Sequence, residues 1–288
     1  MFEKNTLKLM RIPFSYFLMP VFFFALSQAT QINWTHAILC FFILHLFIYP
    51  ASNGYNSYMD QDETSIGGLK NPPKPTKNLF YTSLLFDGLG IGLSTFVSIY
   101  FFISVIAYLL ASRAYSFKGI RLKKFPILGF LTVVFFQGGF TFWMVYNAIN
   151  IVPLSFTMSG VSVVLACSFL IAGVYPLTQI YQHEADIKNG DKTLSYLLGY
   201  RGTFIFTAAM FICANILLYF FFNSAGKLNQ FILFQAFLFP VIIYFVTWFF
   251  RVIKNTLAAS FENTMRMNLI ASSLLNLCFI TLLISNFV

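Results

Sequence analysis

Residues 79–112, LFYTSLLFDGLGIGLSTFVSIYFFISVIAYLLAS, run for 34 positions with a single charged side chain, Asp87. As one helix this stretch would be about 50 Å long at about 1.5 Å per residue, against a hydrocarbon core of about 30 Å. It therefore has to cross a bilayer twice, and the glycines from Gly88 to Gly92 are the natural place for a turn between the crossings. That choice decides the fold. It fixes whether the number of crossings is odd or even, and with it the side on which every later loop lies.

Working outward from it, apolar runs of spanning length lie at about 12–29, 35–53, 78–93, 95–112, 125–148, 152–177, 202–222, 231–250 and 267–287. The whole chain of 288 residues is 58% hydrophobic and 9% charged, with 39 Phe, a composition that excludes an ordinary soluble domain. The prediction is an all-α membrane protein, a single domain over residues 1–288 built as a bundle of about nine transmembrane helices around a central cavity. The basic opening before the first apolar run is similar to a signal peptide. Retention of that run as the first helix keeps the inside–outside alternation intact.

The basic residues test this segmentation independently, because short cytoplasmic loops collect Lys and Arg. With nine crossings and a cytoplasmic N-terminus, every Lys and Arg falls on the inner side except Lys227, and the C-terminus lies outside. The net charge of +9 is thus explained by topology and attraction to anionic membrane lipid. No soluble basic domain exists to bind nucleic acid. Cys40, Cys167, Cys213 and Cys278 all lie in apolar runs, without metal-ligand spacing or a disulfide framework.

Two inner loops carry acids, which contribute nothing to positive-inside topology. In the first, NGYNSYMDQDETSIGGLKNPPKP from Asn53, helical spacing puts Asn56, Asp60 and Glu63 on one face. Asp62 points away from that face unless the helix has already unwound, and the following glycines and prolines make an end there plausible. In the second, Tyr175 to Gly202, the residues Thr178, Gln179, Gln182, Asp186 and Asn189 share a face, with Glu184 opposite. Oxygen donors of this kind suit Mg²⁺, which binds through one or two carboxylates together with substrate phosphates. With Lys and Arg nearby, the expectation is a diphosphate site at the cytoplasmic mouth of a membrane cavity.

NSYMDQDET followed by NPPKPT resembles the first aspartate-rich region of the UbiA-type intramembrane prenyltransferases, matching through Asn56 and Asp60. The family's second region is similar through Asp186, Gly190, Thr193 and Leu194. An intervening segment is similar through Tyr115, Ser116, Arg121, Leu122, Lys123, Pro126 and Gly129. The chain departs from the pattern at Ser57, Thr64 and Gln182, where the family has aspartates. It departs again at Pro72, where many members have Arg, so that Lys70 or Lys74 would have to substitute.

The resemblance implies Mg²⁺-dependent transfer of a prenyl group from a prenyl diphosphate to a lipophilic, usually aromatic, acceptor. Asp60 and Asp186 would be catalytic, and Asn56, Asp60, Asp62, Glu63, Gln182 and Asp186 the metal-holding set. Tyr115, Lys118, Arg121, Lys123, Lys188 and Lys74 would line the diphosphate. Tyr115, Tyr175 and Tyr181 are placed to shield an allylic cation through their ring faces. His183 is expected to be a solvated interfacial residue. Asp87, deep in a span, would assist the acceptor or simply hydrogen-bond near the helix turn. The competing reading is a non-catalytic relative acting as a transporter or lipid-binding membrane protein.

Overall fold

The computed structural model describes residues 3–188 and 190–286. Among them the chain forms nine long helical segments. These are α1 (Lys4–Gln28), α2 (Trp34–Asp60), α3 (Lys77–Ser94), α4 (Ile99–Ser116), α5 (Pro126–Ile149), α6 (Met158–Gln179), α7 (Leu194–Ser224), α8 (Leu228–Lys254) and α9 (Phe261–Ser285). A short helix, His183–Lys188, lies between α6 and α7. Eight of the nine are long and apolar enough to cross a membrane; α3, with its polar start and its glycines, falls short by composition.

The turn between α3 and α4 does not fall at the glycines. Gly88, Gly90 and Gly92 stay helical, and the reversal comes at residues 95–97, where Ser98 caps α4 by accepting from the Phe101 N–H. Packing explains the difference. A Cβ on Gly90 would stand 2.5 Å from Ile48 Cδ1, so that glycine serves the contact between α3 and α2 and not a bend. The segment Leu194–Ser224 is kinked at Gly199, φ 66° and ψ 177°: a short turn from Leu194, capped where Thr193 Oγ1 accepts from the Tyr196 N–H, precedes the spanning part, which resumes after Gly199 close to the start expected from hydropathy.

Two helices carry π-helical stretches, Ile43–Ile48 in α2 and Phe135–Phe140 in α5. The second brings Gly138 against α6 so closely that a Cβ there would meet Ser168 Cα at 2.7 Å. Phenylalanine fills the core in ring contacts, with Phe24 stacked on Phe279 at 4.6 Å and Phe204 on Phe249 at 5.0 Å. Others, such as Phe96, Phe239 and Phe250, are exposed on the outer surface of the bundle.

α1 starts, and α7 starts, at the end where the loops 61–76, 117–125 and 180–193 gather. The far end holds the α7–α8 turn with Lys227, and there the Asn286 side chain donates to the Ser27 carbonyl at 2.7 Å. The start of the first helix and the end of the last therefore lie at opposite ends of the bundle.

Candidate active site

Helix α2 ends at Asp60 because Gln61 turns into the left-handed region, φ 53°. Beyond it, helical spacing no longer sets where side chains point. Asp62 is swung into the interior, while Glu63 points to solvent and leaves the acidic set proposed for it. Asn56, one turn back, donates to Asp60 Oδ2 at 2.8 Å and to Ser116 Oγ on α4 at 3.0 Å. That arrangement fixes the Asp60 carboxylate and leaves the Asn56 amide oxygen as an acceptor.

Helix α6 ends at Gln179, and the short helix His183–Lys188 then carries Asp186. Gly190, at φ 75°, reverses the chain so that the Asp191 N–H returns to the Asp186 carbonyl at 2.8 Å. Between the two acidic segments, Arg121 adopts a left-handed backbone, φ 48°, and starts a helical turn that presents Lys123.

These segments meet over one cavity of about 320 Å³. Its mouth is lined by Asn53, Asn56, Asp60, Asp62, Lys123, Gln179, Gln182, Asp186 and Asp191, and Arg11. Its depth is lined by apolar groups including Phe24, Cys167, Leu238, Val241 and Phe279. Lys123 Nζ lies 2.7 Å from Asp60 Oδ2 and 2.9 Å from Asp191 Oδ2. Arg121 grips Asp191 with two bonds of 3.0 Å and stands 3.8 Å from Asp60.

Ionisation follows from this crowding. Burial pushes the Asp186 carboxyl up to about 7, reinforced by Asp191, Asp62 and Asp60 and opposed by Lys123. Asp62 is raised by burial and by Asp60. Burial acts upward on Asp191 as well, but the bonds from Arg121 and the charge of Lys123 hold it below its ordinary value. Lys123, despite burial, stays above its ordinary value because Asp60 and Asp191 face it.

The expected residues therefore divide. Asn56, Asp60, Asp62, Tyr115, Lys123, Gln182 and Asp186 line the cavity, and Arg121 reaches it through Asp191. Glu63, Lys74, Lys118 and Lys188 do not; all four are exposed, because the helix ends and turns carry them outward. Lys70 pairs with Glu262 on α9. Gln182 donates to the Ser65 carbonyl at 3.0 Å, fastening the 61–76 loop. The Tyr115 and Tyr175 hydroxyls bond each other at the cavity wall, whereas Tyr181 packs against Phe261. Asn189 lies outside the described residues.

His183 is not solvated. It is buried, bonds Ser195 Oγ at 2.9 Å and stacks on Tyr200, and burial pushes it down to about 4. Asp87 pairs with Arg113, whose guanidinium lies over the Tyr55 ring at 4.1 Å, away from the cavity lining.

Arg11 and Asp191 escaped the sequence, whereas Gln179, read there on the face of Asp186, lines the cavity mouth. Arg11 is buried in a left-handed backbone, donating to the Gly67 and Asn53 carbonyls at 3.2 Å. Gln179 bonds the Tyr175 hydroxyl at 3.0 Å. Asp191 had a visible signal, since it too is an acid in an inner loop.

The donor set is one of oxygens. Asp60 Oδ1, Asp186 Oδ2 and Gln179 Oε1 are buried and accept no hydrogen bond from the protein, which suits a hard cation. Among the described residues no cluster of three acids, histidines or cysteines is compact enough to hold a metal alone. The residues fit an ion that shares its coordination with ligand oxygens.

The bundle and its cavity define a class: a polytopic helical membrane protein with a charged cavity mouth at one end of the bundle and an apolar interior. The model of the UbiA prenyltransferase family matches residues 17–270, and the chain belongs to that family. A UbiA homologue from Archaeoglobus fulgidus, solved with DMAPP and Mg²⁺, is similar over 97% of this chain and 99% of that one, with 17% identity and a TM-score of 0.73. The same homologue with GPP and Mg²⁺ gives a TM-score of 0.72 at 17% identity over the same shares. A structure of digeranylgeranylglyceryl phosphate synthase is 20% identical over 98% of both chains, with a TM-score of 0.63. No curated protein sequence matches this chain.

Proposed function

We propose that the protein transfers a prenyl group from a prenyl diphosphate to a lipophilic acceptor, with Mg²⁺, at the mouth of this cavity. The observation that supports the reading most is the joining, in one cavity, of a charged mouth that opposes four carboxylates with Lys123 and Arg121 to an apolar interior. A diphosphate requires the first and a prenyl chain the second. The relatives solved with DMAPP or GPP and Mg²⁺ support the same pairing.

Asn56, Asp60, Asp62 and Asp186 would hold the ion. Bound there, Mg²⁺ would offset charge on the departing diphosphate. Lys123 and Arg121 would exchange part of their pairing with Asp60 for the phosphate oxygens, lowering the cost of separating charge as the allylic C–O bond loosens. Tyr115 and Tyr175, on the cavity wall, would shield the developing allylic cation with their rings. The acceptor forms the new bond to the allylic carbon and releases a proton, and the apolar cavity keeps water from capturing the cation.

A solution test uses purified protein in nanodiscs with labelled geranyl, farnesyl or geranylgeranyl diphosphate, a panel of aromatic and isoprenoid acceptors, and Mg²⁺ or EDTA. Asp60→Ala and Asp186→Ala should each lower Mg²⁺-dependent product by about 100-fold or more. Product that persists in EDTA, or that survives both substitutions, would overturn the assignment. Binding without turnover would favour the non-catalytic, lipid-binding reading.

A further inference from the structure

Asp191 differs in kind from the other acids of the cavity. Its Oδ1 accepts from Arg121 Nε at 3.0 Å, and its Oδ2 accepts from Arg121 Nη2 at 3.0 Å and from Lys123 Nζ at 2.9 Å. The side chain is 3% exposed. Both oxygens are thus hydrogen-bonded to cations, whereas Asp60 Oδ1, with Arg121 no nearer than 3.8 Å, and Asp186 Oδ2 are buried without a hydrogen bond. A carboxylate already saturated by a bidentate guanidinium and an ammonium is poorly placed to give an oxygen to a metal.

Its position in the chain reinforces the distinction. Asp191 sits on the short link between the helix His183–Lys188 and α7, held by its N–H to the Asp186 carbonyl at 2.8 Å. Arg121, across from it, occupies a left-handed backbone in which a non-glycine residue needs support from its surroundings. The bidentate bond is the only side-chain hydrogen bonding that Arg121 makes among the described residues.

We propose that Asp191 is a positioning residue, which orients Arg121 and Lys123 toward the diphosphate and does not itself hold the metal. The inference rests on the diphosphate reading of this cavity. Asp191 acts through Arg121: with its carboxylate in place, the guanidinium is presented as a fixed plane and Lys123 is aimed between Asp191 and Asp60. Without it, the guanidinium and the ammonium lose the anchor that aims them at the diphosphate, while Asp60 keeps the contact with Lys123 that it already has.

The test measures binding of geranyl diphosphate to the full chain in nanodiscs, across a Mg²⁺ titration, for wild type, Asp191→Asn, Asp191→Glu, Arg121→Gln, the Asp191→Asn/Arg121→Gln pair and Asp60→Asn. Melting temperature and monodispersity control for folding. Asp191→Asn is expected to weaken geranyl diphosphate binding about tenfold or more, with the Mg²⁺ concentration at half-saturation unchanged. Asp191→Glu should recover most of the loss. In the Arg121→Gln background, Asp191→Asn should add much less than it does alone.

Unaltered binding in Asp191→Asn would overturn the proposal. So would a shift in the Mg²⁺ midpoint matching that of Asp60→Asn, which would make Asp191 a metal ligand, or losses that multiply in the pair. Failure of the wild type to bind geranyl diphosphate would instead overturn the underlying reading of the cavity, and this inference with it.

Discussion

Asp186 carries the sharpest consequence at the scale of one residue. Its carboxyl, pushed up to about 7 by burial and by three neighbouring acids, is held neutral in the folded protein at pH values where an ordinary carboxylate is charged. In the proposed site a cation needs the charged form, so protons and Mg²⁺ would compete for Asp186. Mg²⁺ affinity should fall by about tenfold per pH unit below about 7 if a single proton is displaced. The sign for folding is opposite. A raised acid contributes stability that is complete below its ordinary value and is lost as pH rises through about 7. Melting curves of wild type and Asp186→Asn between pH 5 and 8.5 check both. In EDTA the variant should melt above wild type at pH 8.5, with the gap closing toward pH 5, and Mg²⁺ should raise only the wild type. A gap that does not depend on pH would mean that Asp186 is not the titrating group.

At the scale of elements, hydropathy and helical spacing made the helices legible, but not their ends. The existence of α3 and α4 followed from length alone, yet the turn between them was misplaced because a glycine in a membrane helix reads the same whether it bends the chain or admits a neighbour. Asn56 and Asp60 could be read because they precede the break in α2. Glu63 could not, because one left-handed residue at Gln61 resets the direction of everything after it. Asp87 shows the limit from another side. It sits on the least apolar helix, and its partner Arg113 on α4 is itself laid over Tyr55 of α2, so one ion pair fastens α3 to two neighbours. Removing one member leaves a largely buried charge unpaired, at a cost of about 3–5 kcal/mol before solvent relaxation. Asp87→Ala should therefore lower the melting temperature and the yield of folded protein. In an Arg113→Ala background it should do little more, as a double-mutant cycle of thermal unfolding in one detergent will read. Equal losses in both backgrounds would show that the pair does not carry the attachment.

For the whole molecule, charge placement and cavity are two readings of the same asymmetry. The loops that collect at one end of the bundle bring basic residues with them, as positive-inside sorting demands, but only a few of those residues turn inward. Lys118, Lys188 and Lys74 remain on the surface, available to anionic lipid, whereas Lys123 and Arg121 are drawn to the acids. Sequence distinguishes acids from the topological background because acids have no role in sorting. It cannot distinguish one Lys from another, nor show that Arg11 lines the cavity, held by two backbone carbonyls. The far end is nearly free of charge, with Lys227 in the α7–α8 turn. If the cavity mouth faces the cytoplasm, a cysteine placed at Lys118 should react with a membrane-impermeant maleimide only after the membrane is opened. One placed at Lys227 should react in intact cells. Cys40, Cys167, Cys213 and Cys278 should first be replaced, although three of them are buried. Labelling at both positions in intact cells would show leaky membranes or mixed insertion. The reverse pattern would place the cavity mouth on the outer surface, where the basic loops could not have been sorted by the rule that predicts them.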